Sequence, residues 1–457
     1  MSGSLLIRGG QVVRSTDIIA ADVRIRGGVV AEVGRDLKPD GEEAIDAEGL
    51  CVLPGVIDAH THQWEPGFLS PPDFSDATTS AAAGGITTII DHPLTRPEVL
   101  NAKVLKEKVE LGERTACVDF ALYAGVCPGR LDAMEDLWAA GAAGFKFFTC
   151  DSGSALEPFL TPPDQRELLR RIRALDSIAL VHAEDQKILD QSRRRLEEDG
   201  RDGLEAFFAW RSPAAEKAAV DAVLGLAIET EARVYFAHVS LPRAVAQIAH
   251  ARAEGATVYA ETCPHYLTLT QNELLASGAW ATSAPPVRDR VDRGLLHEQL
   301  ANEISVVGSD HCSAPAGNRN AFSSVHGLPG NETMLPLLLN LAKGGNLKLQ
   351  RLVALVCEQP ARLFGLSARK GFLRRGSDGD VTLVDPQGIT VPDAKHMMGA
   401  AGWTPYEGRH LHGRVVRTIV RGTTVAVDGK PVAAPGFGRF VPRMGSPLDL
   451  NGMVAHG

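Results

Sequence analysis

An uninterrupted apolar run of about 18 residues, the least that crosses a bilayer as a helix, occurs nowhere in this chain of 457 residues. No membrane-spanning segment is expected, and Met1 to Gly10 lack the basic and apolar regions of a secretory leader. Paired Cys-x-x-Cys spacing is also missing: the seven cysteines, an odd number, are scattered from Cys51 to Cys357. That pattern argues against a disulfide framework or a structural zinc site and fits a reducing cytoplasm. Positive charge is in deficit, with 47 Lys and Arg against 56 Asp and Glu and a formal net charge of −9. Nucleic acid and anionic membranes are therefore disfavoured as partners, and a small-molecule substrate is expected.

What is present is ordinary for a soluble enzyme, 44% apolar and 23% charged residues. The length exceeds the roughly 250 residues of a plain β/α barrel, so a smaller appended module is expected. Short alternating segments with glycine turns at Gly9-Gly10 and Gly27-Gly28 run from Ser4 to about Cys51, a pattern of antiparallel hairpins. The same texture returns in Asp380 to Val384, Val415 to Arg421 and Thr424 to Val427, the last before the turn Asp428-Gly429. Since chain termini commonly meet, both ends are expected to build one β-sandwich, from 1–52 and 378–457.

Between them, over 53–377, eight apolar runs alternate with helix-compatible stretches. The runs are Val56 to His62, Thr87 to His92, Val118 to Gly125, Gly144 to Phe148, Ile178 to Glu184, Val234 to Val239, Thr257 to Cys263 and Ile304 to Asp310. Strands buried on both faces read as continuous apolar segments, so the expected fold is α/β, a (β/α)₈ TIM barrel. An open doubly wound sheet is the alternative, but no glycine-rich phosphate loop follows a strand.

The C-terminal strand ends of such a barrel form its active-site rim, and six residues fall there: His60, His62, Lys146, His182, His238 and Asp310. Histidines two apart share one strand face and can chelate one ion. Imidazole and carboxylate suit zinc and related divalent metals. Lys146 is the odd member, a cation inside the apolar run Gly144 to Phe148. Either it pairs or snorkels, or it loses its proton; a neutral amine can then take up carbon dioxide as a carbamate, an anionic ligand able to bridge two metals.

The segments Leu53-Pro54-Gly55-Val56-Ile57-Asp58-Ala59-His60-Thr61-His62, Val181-His182-Ala183-Glu184, Ala237-His238-Val239-Ser240, Glu261 to Leu267 and Gly308-Ser309-Asp310-His311 resemble the cyclic amidohydrolases: allantoinases, hydantoinases, dihydropyrimidinases and dihydroorotases. The likeness covers nearly the whole chain. It implies that His60 and His62 bind the more buried of two metals, His182 and His238 the more exposed one, and carboxylated Lys146 both. Asp310 would bind the first metal and serve as catalytic base while a metal-activated hydroxide opens a ring amide. A homotetramer is the assembly the likeness implies.

The dihydroorotase branch is disfavoured because Trp64 stands where a carboxylate-binding arginine is usual, and dihydropyrimidinases carry a tyrosine where this chain has Asp151. The loop Phe147 to Gly153, together with Asp91 to Thr95 and Gly436 to Phe440, looks more like allantoinases and L-hydantoinases. A hydantoin-ring ureide such as allantoin is the expected substrate, contacted by Asp151 and by the backbone at Ala284 and His326. The loops 64–74 and 149–163 are expected to cover the site. His92, His265 and His311 lie near strand ends, but the metal shell is complete without them. Related scaffold proteins that lost their ligands act as non-catalytic partners; here all six ligands are retained.

Overall fold

The apolar runs become strands for the reason their composition suggests: each has two buried faces. The computed structural model describes residues 3–67, 74–151, 159–277, 281–313, 321–322 and 326–445. Barrel strands one and two are Val56–His62 and Ile86–Asp91, and the third is Asp119–Leu122 continued by Ala124–Gly125. Strands four to seven are Phe145–Phe148, Ala179–His182, Val234–Phe236 and Val258–Thr262; the eighth is Val306–Val307 continued by His311–Cys312. Neighbours pair in parallel throughout. The two broken strands close the ring. The first part of the third pairs with the second strand and its continuation with the fourth, while the two parts of the eighth bridge the seventh strand and the first.

Alternate residues separate two cores. Val56, Ile89, Phe120, Phe145, Phe147, Val181 and Phe236 face the surrounding helices, whereas Ile57, Ile90, Ala121, Leu180, Tyr235, Tyr259 and Val306 fill the barrel interior. Phe364 plugs that interior, its ring 5.2 Å from both Tyr123 and Tyr235. The helices carry the expected stripes. Pro162–Ala174 starts with a capping box between Thr161 and Asp164 and buries Leu168, Leu169 and Ile172; Pro213–Thr230 begins on a proline that needs no amide partner there.

Both chain ends enter one hydrogen-bonded sheet of nine described strands. Leu5–Val13, Ile18–Arg26 and Val29–Gly34 form the amino-terminal part, with Glu43–Asp46 and Cys51–Pro54 parallel to the first of them. Val381–Thr390 joins it antiparallel to Cys51–Pro54, and Leu411–Val420, Thr423–Val427 and Lys430–Pro431 follow.

A buried ion cluster ties this sheet to the barrel. Lys370 Nζ lies 2.5 Å from Asp119 Oδ2, 2.9 Å from Asp378 Oδ2 and 2.7 Å from Asp380 Oδ2. Arg421 adds an ion pair to Asp119. Three clustered carboxylates could suit a metal ion, but here the ammonium occupies their centre. Removing one member of a buried ionic group leaves uncompensated charge, so Lys370→Leu should cost about 3–5 kcal/mol. The urea midpoint measures this, and a loss under about 1 kcal/mol would show that the cluster does not hold the two parts together.

Candidate metal centre

Plain alternation does not place the site residues; local breaks in it do. Ile57 and Ala59 belong to the interior cluster, which by period two would turn His60 outward. Pairing with the second strand slips between Asp58 and Thr61, and beyond that slip His60 and His62 face Glu261 and Asp310 inside the barrel. Lys146 sits in register with Leu180, an interior residue, and so points inward. His182 ends the fifth strand. After Tyr235, alternation would turn Ala237 inward, but His238 has φ +39° and takes that place; Asp310, in the break of the eighth strand, has φ +50°. Left-handed backbone at a non-glycine residue costs about 1–2 kcal/mol, which the surrounding structure sustains here. Gly308 lets the strands approach: a Cβ there would meet His60 Cβ at 2.8 Å.

Two groups of donor atoms result. His60 Nε2, His62 Nε2 and Asp310 Oδ1 are mutually separated by 3.2–3.3 Å. His182 Nδ1 and His238 Nε2 are 3.2 Å apart. Atoms bound about 2.1 Å from one ion, at tetrahedral or octahedral angles, lie about 3.0–3.4 Å from each other. The donor chemistry and spacing therefore fit a divalent metal at each group. The outer ring nitrogens are oriented by carboxylates: His60 Nδ1 to Glu261 Oε1 at 2.7 Å, His182 Nε2 to Glu184 Oε2 at 2.8 Å. Such partners fix tautomer and ring plane.

Burial governs the electrostatics. Lys146 is 1% exposed, its Nζ 5.0 Å from the Phe148 ring centroid, and burial pulls its pKa down to about 8 despite the charges of Glu261 and Asp310. Burial likewise lowers His62 to about 4, although Asp310 opposes the shift. Burial pushes Asp310 upward, but His60, His62 and His238 outweigh it and hold that carboxyl well below the usual range. The Lys146 charge acts on His62, His182 and His238, members of both donor groups.

Of the three positions expected to contact substrate, Asp151 follows the fourth strand, while Ala284 and His326 lie on later segments. Asp151 is exposed just beyond the fourth strand, its N–H donating to Gln186 Oε1 at 2.7 Å. Thr282, two residues before Ala284, has its Oγ1 3.1 Å from His326 Nδ1, and its carbonyl accepts from the Gly327 N–H at 2.8 Å. The His326 ring also packs on Phe207, 4.3 Å between centroids. Arg288, next to this segment, donates to the carbonyl of Arg211 at 2.8 Å, and Arg211 pairs with Glu184, the partner of His182. His311 has a structural post, accepting from Gly330 N–H at 3.0 Å through Nδ1. Residues 68–73 and 152–158 of the two expected covering loops lie outside the described residues. A separate cavity of about 730 Å³ opens among Ile172, Leu224, Arg233 and Gln247, where strands five to seven begin, and holds none of the six residues.

Residues 51–425 match the amidohydrolase family. The chain belongs to that family. This amidohydrolase is 39% identical to an allantoinase of Rubrobacter xylanophilus, over 96% of its own length and 97% of the relative's. An L-hydantoinase of Paenarthrobacter aurescens is 34% identical over 96% and 98% of the two chains. Among solved structures, an L-hydantoinase (dihydropyrimidinase) from Arthrobacter aurescens superposes with a TM-score of 0.92 at 33% identity, covering 97% of this chain and 100% of that one.

The orienting carboxylates Glu184 and Glu261 had no role in the sequence reading. Their signal was available: each is an acid at the end of an apolar run, subject to the same cost of burial as Lys146. Glu261 accepts from three sides, from His60 Nδ1, from the His238 N–H at 2.9 Å and from Tyr235 Oη at 2.6 Å. Glu261→Gln in the amidohydrolase offers one carbonyl oxygen and an NH₂ in place of two acceptors, leaving at least one buried donor unpaired. A stability loss of about 1–3 kcal/mol is expected in denaturant unfolding; a shift below about 0.5 kcal/mol would refute the three-way arrangement.

Proposed function

We propose that this protein hydrolyses a C–N bond of a cyclic amide, specifically a hydantoin-ring ureide such as allantoin or a 5-substituted hydantoin, at a centre of two divalent metals. The observation that carries the reading is the pair of donor groups, at 3.2–3.3 Å and 3.2 Å spacing, with buried Lys146 acting on both. His60, His62 and Asp310 would hold one ion and His182 and His238 the other, zinc in both positions. Lys146, as a carbamate formed with carbon dioxide, would serve both. Bound there, the metals supply a Lewis acid for the ring carbonyl and acidify water.

The chain's own residues do the rest. Glu261 and Glu184 hold the imidazole planes of His60 and His182. Asp310 Oδ1 faces both His60 and His62, so Oδ2 is the oxygen left to take the proton of the attacking water and return it to the departing ring nitrogen. Asp151 and the backbone at Ala284 and His326 orient the ring amides. The identity to an allantoinase over nearly the full length supports the five-membered ring, as does Asp151 in place of a tyrosine. The protein acts in the cytoplasm as a homo-oligomer, a tetramer, with neither nucleic acid nor membrane as a partner.

Ring opening should be measured on protein reconstituted with zinc or cobalt in bicarbonate, using allantoin, both enantiomers of a 5-substituted hydantoin, dihydrouracil and dihydroorotate. Preference for allantoin or a hydantoin is expected; preference for a six-membered ring would assign a dihydropyrimidinase or dihydroorotase activity instead. No turnover on any ring, with both metals bound, would sink the enzyme reading. Lys146→Ala should lose paired metal binding and most activity, and full metal occupancy with normal turnover would exclude the carbamate. Asp310→Asn should cut kcat by about 10²–10⁴-fold while metal content falls less; parallel losses would make it chiefly a ligand.

A further inference from the structure

The cavity of about 730 Å³ lies where the strands Ala179–His182, Val234–Phe236 and Val258–Thr262 begin, at the end of the barrel away from the metal centre. Its apolar wall comes from three helices: Ile172 of Pro162–Ala174, Leu224 and Ala227 of Pro213–Thr230, and Ala251 of Pro242–Ala253. Protein interiors hold few voids larger than a water molecule, whereas small-molecule sites span about 300–1,000 Å³. By volume this cavity belongs with the second kind.

Its polar lining offers one donor and one acceptor. Arg233, with a side chain 14% exposed, is held by one end of its guanidinium: Nη1 donates to Asp176 Oδ1 at 3.2 Å and to the Ser177 carbonyl at 3.1 Å. Nε of the same group is buried and has no hydrogen-bond partner among the described residues. Gln247 Oε1, on Pro242–Ala253, is a second buried atom without one. Both side chains line the cavity. Buried polar atoms without partners are uncommon, and each calls for a complementary group. The lining also sets two arginines, Arg173 and Arg233, against Asp176, Glu231 and Glu254, with His250 beside them. An anion therefore gains no net attraction there, and a cation has no acceptor to offer Arg233.

We propose that this cavity binds a neutral small molecule of the amide class. Its carbonyl oxygen accepts from Arg233 Nε–H, its adjacent N–H donates to Gln247 Oε1, and its apolar body lies against Ile172, Leu224, Ala227 and Ala251. The Nη1 contacts hold the guanidinium plane in advance, so little ordering of Arg233 is left to binding. The apolar wall keeps water from both hydrogen bonds, and hydrogen bonds are electrostatically stronger in such surroundings. A ligand with only one of the two groups leaves the other atom bare. The site shares no residue with the metal centre and does not depend on the reading of it.

ε-Caprolactam is the probe, because its ring carries a carbonyl and an N–H on one edge and methylenes elsewhere. N-methylcaprolactam keeps the carbonyl and the apolar body but not the N–H. Zinc-reconstituted protein is titrated with each, and dissociation constants are read by ligand-observed NMR. The unaltered protein should bind caprolactam about fivefold more tightly than the N-methyl form. Gln247→Leu removes the acceptor; in it caprolactam should weaken about fivefold, so that the two lactams bind alike. Arg233→Met removes the donor common to both ligands and should weaken both about tenfold. Where circular dichroism shows that one variant does not fold, the other decides. No binding, equal affinity for the two lactams in unaltered protein, or unchanged affinity in Arg233→Met would overturn the proposal. So would discrimination that survives Gln247→Leu, which would place the lactam elsewhere.

Discussion

The carboxylate of Glu261 is the point on which the barrel's polar interior depends. Four histidines and a lysine collected in a mostly buried space cannot all keep their usual protonation, and each bare donor there is a standing cost. Glu261 answers three of those donors at once, from the first strand through His60 and from the sixth through Tyr235 and the backbone of His238. It thus fixes the spacing of strands that carry opposite halves of the centre. Asp310 does the same for His62, and Glu184 with Arg211 for His182.

Seen this way, the centre is built from mutual need more than from any single strong contact. Removing solvent lowers the Lys146 pKa, and the carboxylates limit how far it falls. The same removal would raise Asp310, and the imidazoles reverse it. Each group's chemistry is set by its neighbours, so the site functions as one unit, and the polar chain from His182 through Glu184, Arg211 and Arg288 carries that unity out to the segment holding Ala284.

Much of the fold was legible because a doubly buried strand has little choice of composition. Val56 to His62 and Gly144 to Phe148 show their strands almost residue for residue. The third and eighth runs were located but their interruptions were not, since a break after Leu122 or Val307 is decided by which neighbour each part pairs with. The residue types that the barrel gathers were legible for a related reason: a histidine or lysine in an apolar run is conspicuous. How they come to face inward was not. That depends on the slip after Asp58 and the left-handed turn at His238, which are properties of paired strands and leave no mark on hydrophobic period. Glu261 and Glu184 were passed over because they stand next to conspicuous histidines and a cysteine, although the cost of burying a charge applies to them equally.

The terminal sheet bears on how the protein is made. Among the described residues, Cys51–Pro54 finds its antiparallel partner in Val381–Thr390, so the amino-terminal strands leave the ribosome with one edge open while the whole barrel is still to come. At synthesis rates of about 5–20 residues per second, that interval is on the order of half a minute. During it, an apolar β edge stays open to pairing with other chains, the kind of exposed edge that invites aggregation.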